Sequence, residues 1–100
     1  MKLDAHQFAL DLIVALRPIV AVIARHDRSL ADQLRRASSR GALALGEGAY
    51  SRKGNQPARY QEALSSASET RSALKVAIAW GHVGPTQVAD RLVAMTRRRR

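Results

Sequence analysis

The chain has 100 residues, of which 17 are Lys or Arg and 8 are Asp or Glu, so its formal net charge is +9. It contains no cysteine, which excludes a disulfide framework and a thiolate metal site and fits a cytoplasmic protein. A chain of this length forms at most one domain with a small core. Because Ala and Leu are abundant and only four residues are aromatic, helices are favoured over strands.

The first predicted helix runs from Leu3 to about His26, with Asp4 as its N-terminal cap. Apolar residues cover most of its circumference, and Asp11 and Arg17 are the only charges in its middle. These charges and Pro18 argue against a membrane span, and the proline predicts a kink or a split in the helix. A helix that is apolar on most sides must be buried on most sides, so we expect an oligomer.

The second predicted helix spans Leu30 to Gly48 and follows a turn at residues 27–29, with Ser29 as its cap. One face narrows to small residues, namely Ala37, Gly41, Ala44 and Gly48. Glycine inside a helix costs roughly 1 kcal/mol relative to alanine, so these glycines predict close packing against another helix. The solvent side of the same helix is basic and carries Arg35, Arg36 and Arg40.

Two further helices are predicted, from Pro57 to about Trp80 and from Pro85 to about Met95. Gly81 suits the left-handed position that ends a helix. The buried face of the third helix is predicted to include Tyr60, Ala63, Leu64, Ala67, Leu74, Ala77 and Ile78. Short connections predict an all-α fold, an antiparallel up-down-up-down four-helix bundle over residues 1–96, with a basic tail at residues 97–100.

Three stretches of the sequence resemble a known family. The run QLRRA at residues 33–37, then Glu47-Gly48, and a third-helix run from Ala63 through Glu69 to Ala77 are similar to small bacterial four-helix-bundle proteins. That family was first noticed within intervening sequences of large-subunit ribosomal RNA. Residues 40–44 depart from its Ser-Ile-Pro-x-Asn pattern. The high charge and the proline in the first helix are closer to another branch, the accessory proteins of diversity-generating retroelements.

The resemblance implies an assembly and a set of partners. It implies a homopentameric barrel of four-helix bundles. It also implies a basic surface that contacts RNA or DNA and a partner polymerase, which in the retroelement branch is a reverse transcriptase.

Phosphate contacts are predicted from cationic side chains on the second and third helices, the loop at residues 50–56 and the tail. They are Arg35, Arg36, Arg40, Arg52, Lys53, Arg59, Arg97, Arg98, Arg99 and Arg100. Contacts of this kind give affinity that falls steeply with salt and carries little sequence selectivity. With so few aromatic residues, stacking on single-stranded bases is expected to contribute little.

Catalysis, metal binding and a cofactor are not expected. Glu47 and Glu69 could act as a carboxylate pair in acid–base chemistry. Structural ion pairs with arginines such as Arg36 or Arg71 are favoured instead, because no nucleophile or cofactor site accompanies the two glutamates. Surface or capping roles are favoured over metal binding for the three histidines, which lie far apart in the sequence, at His6, His26 and His82.

The sequence therefore predicts a non-catalytic, oligomeric accessory protein that binds RNA or DNA electrostatically and partners a reverse transcriptase, with no membrane partner. One alternative is a protein-interaction scaffold of the ribosomal RNA intervening-sequence type, in which an acidic protein is the partner and nucleic-acid binding is incidental. A second is that the excess positive charge only keeps a small protein soluble.

Overall fold

A computed structural model of the chain describes residues 4–50 and 56–98, with side chains at residues 4–48 and 56–95. The described residues form four α-helices and no strand. The helices are α1 (Ala5–His26), α2 (Arg28–Tyr50), α3 (Gln56–Ala79) and α4 (Pro85–Arg98). The prediction of an all-α four-helix bundle is confirmed at this level.

The first helix begins at its predicted cap. The backbone N–H of Gln7 donates to Oδ1 of Asp4 at 3.0 Å, which satisfies one of the free donors of the first turn. Pro18 lies inside α1 without dividing it, so the helix is not split. Its buried residues are Leu16, Ile19 and Ile23.

The length and composition of α1 are sufficient for it to cross a membrane, with a mean hydropathy of 1.9 over an 18-residue window. The prediction from Asp11, Arg17 and Pro18 that this helix does not span a membrane stays a prediction. One such helix is weak evidence for a membrane protein, because the core helix of a soluble protein meets the same test. Only 17% of the window is buried within this chain, and many of the other residues of α1 are partly buried.

A single residue, Asp27, joins α1 to α2. Its backbone N–H donates to the carbonyl of Ile23 at 2.8 Å, and its Oδ1 accepts from the backbone N–H of Leu30 at 3.0 Å. The predicted cap, Ser29, instead lies inside α2, which begins at Arg28. The backbone of Asp27 is extended, at φ −154° and ψ 92°, and this is the geometry that a capping residue requires.

The small-residue face of α2 packs closely on α3, as predicted. A β-carbon at Gly41 would lie 3.3 Å from Cβ of Ser66, and one at Gly48 would lie 3.2 Å from Cβ of Arg59. Two alanines of the same face are also buried, Ala37 and Ala44. The close approach of the two helices offsets the cost of glycine inside α2.

The main core joins large apolar side chains of α1 and α2 with small side chains of α3. Its buried members are Leu16, Ile19, Ile23, Leu30, Ala31, Leu34, Ala73, Ala77, Val83 and Val88. The fully buried residues of α3 are all small, namely Ala63, Ser66, Thr70, Ala73 and Ala77. The predictions that Tyr60, Leu64 and Ala67 face inward are wrong, because all three are exposed.

The helices do not pack equally against one another. Helix α2 packs against α1 and α3, and α4 packs against α1, whereas the other pairs touch only sparsely. The Cα trace measures 43 × 31 × 16 Å. The contacts therefore link the helices in the order α3, α2, α1, α4.

Gly81 ends α3 in the predicted left-handed conformation, with φ at +78°. The backbone N–H of His82 donates to the carbonyl of Ala77 at 3.0 Å, and the N–H of Gly81 donates to the carbonyl of Ile78 at 2.9 Å. These two bonds define a Schellman motif. The motif fixes the position of the short connection to α4.

The last helix begins at the predicted residue, Pro85, but extends beyond the predicted end at Met95. Helix α4 includes Arg97 and Arg98, two of the four residues of the predicted basic tail. Cationic residues at a helix C-terminus complement the helix dipole, which accounts for the longer helix. Residues 99 and 100 lie outside the described residues.

Candidate nucleic-acid interface

Three arginines of α2 line one shallow surface depression of about 570 Å³. The depression is lined by Asp32, Arg35, Arg36, Ser39, Arg40 and Leu43. Residues three and four positions apart share one face of a helix, so the sequence spacing itself produces this cluster. The three predicted phosphate contacts of α2 thus lie together, and all are exposed.

A second groove, of about 460 Å³, continues this surface onto α1. It is lined by Ile13, Arg17, Val20, Ala21, Arg35, Ser38 and Ser39. The two grooves share Arg35 and Ser39, so they form one surface, and we define its four arginines as the arginine face: Arg17, Arg35, Arg36 and Arg40. Arg17 is absent from the predicted contacts. The available signal is its position as the only cation in the middle of an apolar helix.

Two guanidinium groups of the arginine face lie near a carboxylate. Nη1 of Arg35 is 3.5 Å from Oδ1 of Asp32, and Nη1 of Arg40 is 3.3 Å from Oε1 of Glu69. All four side chains are more than a third exposed, and an exposed ion pair contributes only about 0.2–1 kcal/mol. A phosphate can therefore compete for these arginines. The other two arginines of the face have no ion pair within residues 4–48 and 56–95.

Glu47 and Glu69 each pair with an arginine, but not with those that the sequence suggested. Glu69 pairs with Arg40, and Oε2 of Glu47 lies 3.1 Å from Nη2 of Arg59. Arg71 is exposed and has no ion pair among the described side chains. The contact between α2 and α3 sets these pairs, because it brings residues 29 positions apart in the sequence together.

Arg59, a predicted phosphate contact, lies beside two carboxylates, and its role in phosphate binding stays a prediction. Its guanidinium lies 3.1 Å from Glu47 and 3.3 Å from Glu62. Two carboxylates already balance its charge, and a phosphate would meet both of them. The remaining predicted contacts lie outside the described side chains, at Arg52, Lys53, Arg97, Arg98, Arg99 and Arg100.

Two of the three histidines come together in space. The rings of His26 and His82 stack with centroids 5.3 Å apart and planes 1° apart, and the ring of Trp80 stacks on His82 at 6.4 Å and 14°. Nε2 of His82 lies 3.9 Å from Oδ2 of Asp27. His6 is remote from them in the sequence and packs against α2. No group of three potential metal ligands occurs among the described residues.

Comparisons of the chain with protein-family models, with curated proteins and with solved structures find no match. A functional interpretation therefore starts from the residues themselves. The most distinctive arrangement is the arginine face, in which exposed guanidinium groups of two neighbouring helices line adjoining grooves.

Proposed function

We propose that this protein is a non-catalytic, oligomeric accessory protein that binds RNA or DNA through electrostatic contacts. The observation that carries the proposal is the arginine face, with its four exposed guanidinium groups on α1 and α2. A guanidinium donates paired hydrogen bonds to phosphate oxygens and stays charged at any physiological pH. The net charge of +9 adds a long-range attraction for polyanions.

The arginine face favours contacts to phosphate over contacts to bases. The two grooves are lined by arginines, serines, aliphatic residues and one acidic residue, Asp32, and by no aromatic side chain. Phosphate contacts hold a nucleic acid without distinguishing its sequence. Four such contacts per chain correspond to a slope of about −3 to −4 in a plot of log affinity against log salt concentration.

The proposal includes self-association, for which exposed apolar side chains are the support. Leu64 of α3 is 65% exposed, and Phe8 and Val14 of α1 are also exposed. Soluble monomers rarely leave large contiguous apolar patches in water. The family resemblance supplies the proposed number, a homopentamer, whose mass would be five times 10.9 kDa, or 54.5 kDa.

An antiparallel arrangement of the helices is part of the same proposal. Contacts between α2 and α3 support it, since the position on α2 falls as the position on α3 rises. Gly48 lies beside Arg59, whereas Gly41 lies beside Ser66. Two helices that run in opposite directions produce this order of contacts.

The proposed polymerase partner is a reverse transcriptase of a diversity-generating retroelement, and the proposed compartment is the cytoplasm. The support for both is the family resemblance together with the basic character of the chain. A reverse transcriptase gene beside the gene for this protein would support the retroelement branch. A ribosomal RNA gene in that place would favour the scaffold alternative.

Charge reversal on the arginine face tests the proposal. The double variant Arg17→Glu/Arg36→Glu removes two cations that have no ion pair among the described residues. Its affinity for duplex RNA and duplex DNA, measured by fluorescence anisotropy across a salt series, should fall at least tenfold. The salt slope should become shallower by about 2, because two phosphate contacts are lost.

The matched control is Arg71→Glu/Lys75→Glu, which changes the net charge equally at exposed positions of α3. It should keep the wild-type salt slope. An equal loss in both variants would mean that net charge alone, and not the arginine face, governs binding. Negligible affinity of the wild-type protein near physiological salt would remove the proposal and leave the protein-scaffold alternative. Circular dichroism of both variants shows whether the helices persist.

A further inference from the structure

The ring of Trp80 projects from the C-terminal end of α3. Trp80 is the only tryptophan of the chain, and it is 71% exposed. The residue after it, Gly81, ends the helix in a left-handed conformation. A large flat ring with much of its surface in water offers apolar contact area at a low cost in conformational freedom.

The ring of His82 stacks against the ring of Trp80. His82 stacks on Trp80 and also on His26, and its side chain is only 17% exposed. Its backbone is held by the hydrogen bond to Ala77, and its Nε2 faces Asp27 at 3.9 Å. Asp27 is itself fixed as the cap of α2. The orientation of the aromatic stack is thus set by α1, α2 and α3 together.

Two exposed cations lie close to the residues of this stack in the sequence. Arg25 precedes His26 in the chain, and Arg28 follows Asp27, so both arginines lie at the junction of α1 and α2. Both are exposed, and neither has an ion pair among the described residues. An exposed aromatic ring beside cations is the combination that binds single-stranded nucleic acids, because bases stack on the ring and phosphates contact the cations.

We propose that Trp80 is a stacking platform for one unpaired base of a single-stranded nucleic acid, with Arg25 and Arg28 contacting the adjoining phosphates. The inference deepens the proposed function and rests on it, but it uses none of the residues of the arginine face. It departs from the expectation that stacking contributes little, because one well-supported ring is sufficient for one base. The platform gives the protein a preference for single strands, which the arginine face alone does not provide.

The intrinsic fluorescence of Trp80 reports directly on the platform, since no other tryptophan contributes. The probes are a 12-nucleotide thymidine oligomer, the uridine RNA oligomer of equal length, and an abasic DNA oligomer with the same number of phosphates. Both base-containing oligomers should quench the emission, and the abasic oligomer should not. Trp80→Ala should weaken binding of the base-containing oligomers roughly 5- to 100-fold, leave the abasic oligomer unaffected, and show little change in helicity. Trp80→Phe should keep most of the affinity because it keeps a ring.

Three results would overturn the platform. They are equal affinity for thymidine and abasic oligomers, an unchanged affinity in Trp80→Ala, and an emission spectrum that shifts to shorter wavelength with protein concentration alone. The last result would place Trp80 in a contact between copies of the chain. The variant Arg17→Glu/Arg36→Glu separates this inference from the proposed function. Duplex affinity that is unchanged in this variant, with quenching that persists, keeps the platform while the arginine face loses its role. Duplex affinity that falls as expected, in a protein whose emission the thymidine oligomer never quenches, does the reverse.

Discussion

The glycines of α2 stabilise the fold by allowing α3 to approach. The nearest side-chain atom to a β-carbon at Gly41 would be Cβ of Ser66, at 3.3 Å. An atom at this distance is a rigid part of a neighbouring helix and cannot swing away as the end of a long side chain can. The space beside Gly41 is therefore occupied by the β-carbon of Ser66, and a larger side chain at this position would press against α3.

Replacement of Gly41 by leucine should lower the free energy of unfolding by about 1–2 kcal/mol. Overpacking costs about 1–3 kcal/mol, and the better helix propensity of leucine recovers up to about 1 kcal/mol. Ser39→Leu is the matched control, because it places the same side chain at an exposed position of α2, where the change should stay within about 0.5 kcal/mol. Urea denaturation measures both variants, and equal effects would show that Gly41 is not at a tight contact.

The sequence alone does not show which residues of different helices contact each other. The sequence identified Glu69 as an ion-pair partner, but the packing of α2 on α3 gives it Arg40 rather than Arg71. Likewise, His26 and His82 stand 56 positions apart, and only the fold makes them stack. The arginines of α2 could be grouped in advance because they share one helix, where spacing alone determines the face.

Asp27 organises the junction between two elements. One residue closes α1 through its backbone and caps α2 through its side chain, so no flexible linker separates the helices. The helices that it joins supply most of the large apolar residues in the core. The cap therefore fixes the geometry of the best-packed part of the molecule.

Asp27→Ala should lower the free energy of unfolding by about 1 kcal/mol, because the backbone N–H of Leu30 loses its acceptor. In a chain of this length the loss corresponds to roughly 4–8 °C in Tm. Asp27→Asn keeps an oxygen at the capping position and should retain most of the stability. If the two variants melt at the same temperature, the capping bond does not stabilise α2, and thermal denaturation followed by circular dichroism distinguishes these outcomes.

Element boundaries were predictable where the signal is local. Asp4, Gly81 and Pro85 each act within one turn of the chain, and each occupies its predicted position. The prediction of Ser29 as the cap of α2 was wrong because Asp27, two residues earlier, is an equally good cap that also ends α1. The predicted end of α4 at Met95 was too early, because residues that favour a helix continue past it without a stop signal.

At the scale of the whole molecule, the apolar pattern of α3 gave a partly wrong prediction of its buried face. Its large apolar residues suggested an inward face that contains Tyr60 and Leu64, yet close packing against the glycines of α2 admits only small side chains. The large residues are consequently left outside. An apolar pattern on a helix indicates that this face is buried, but it does not show whether the same chain or another copy buries it. Periodicity cannot distinguish a core from an interface between copies.

Leu64→Glu distinguishes the two possibilities in solution. In an isolated chain Leu64 is 65% exposed, so a charge there would change the stability by no more than about 0.5 kcal/mol and leave the mass at 10.9 kDa. If copies bury this residue, the wild-type protein should have a mass several times 10.9 kDa by light scattering. Leu64→Glu should then lower the mass towards that of the single chain, because an unpaired buried charge is strongly unfavourable. Ser65→Glu places the same charge at the adjacent exposed position and should leave the assembly intact. A wild-type protein that stays at 10.9 kDa at every concentration would contradict self-association, and α1 and α3 would then need a different partner for their apolar surfaces.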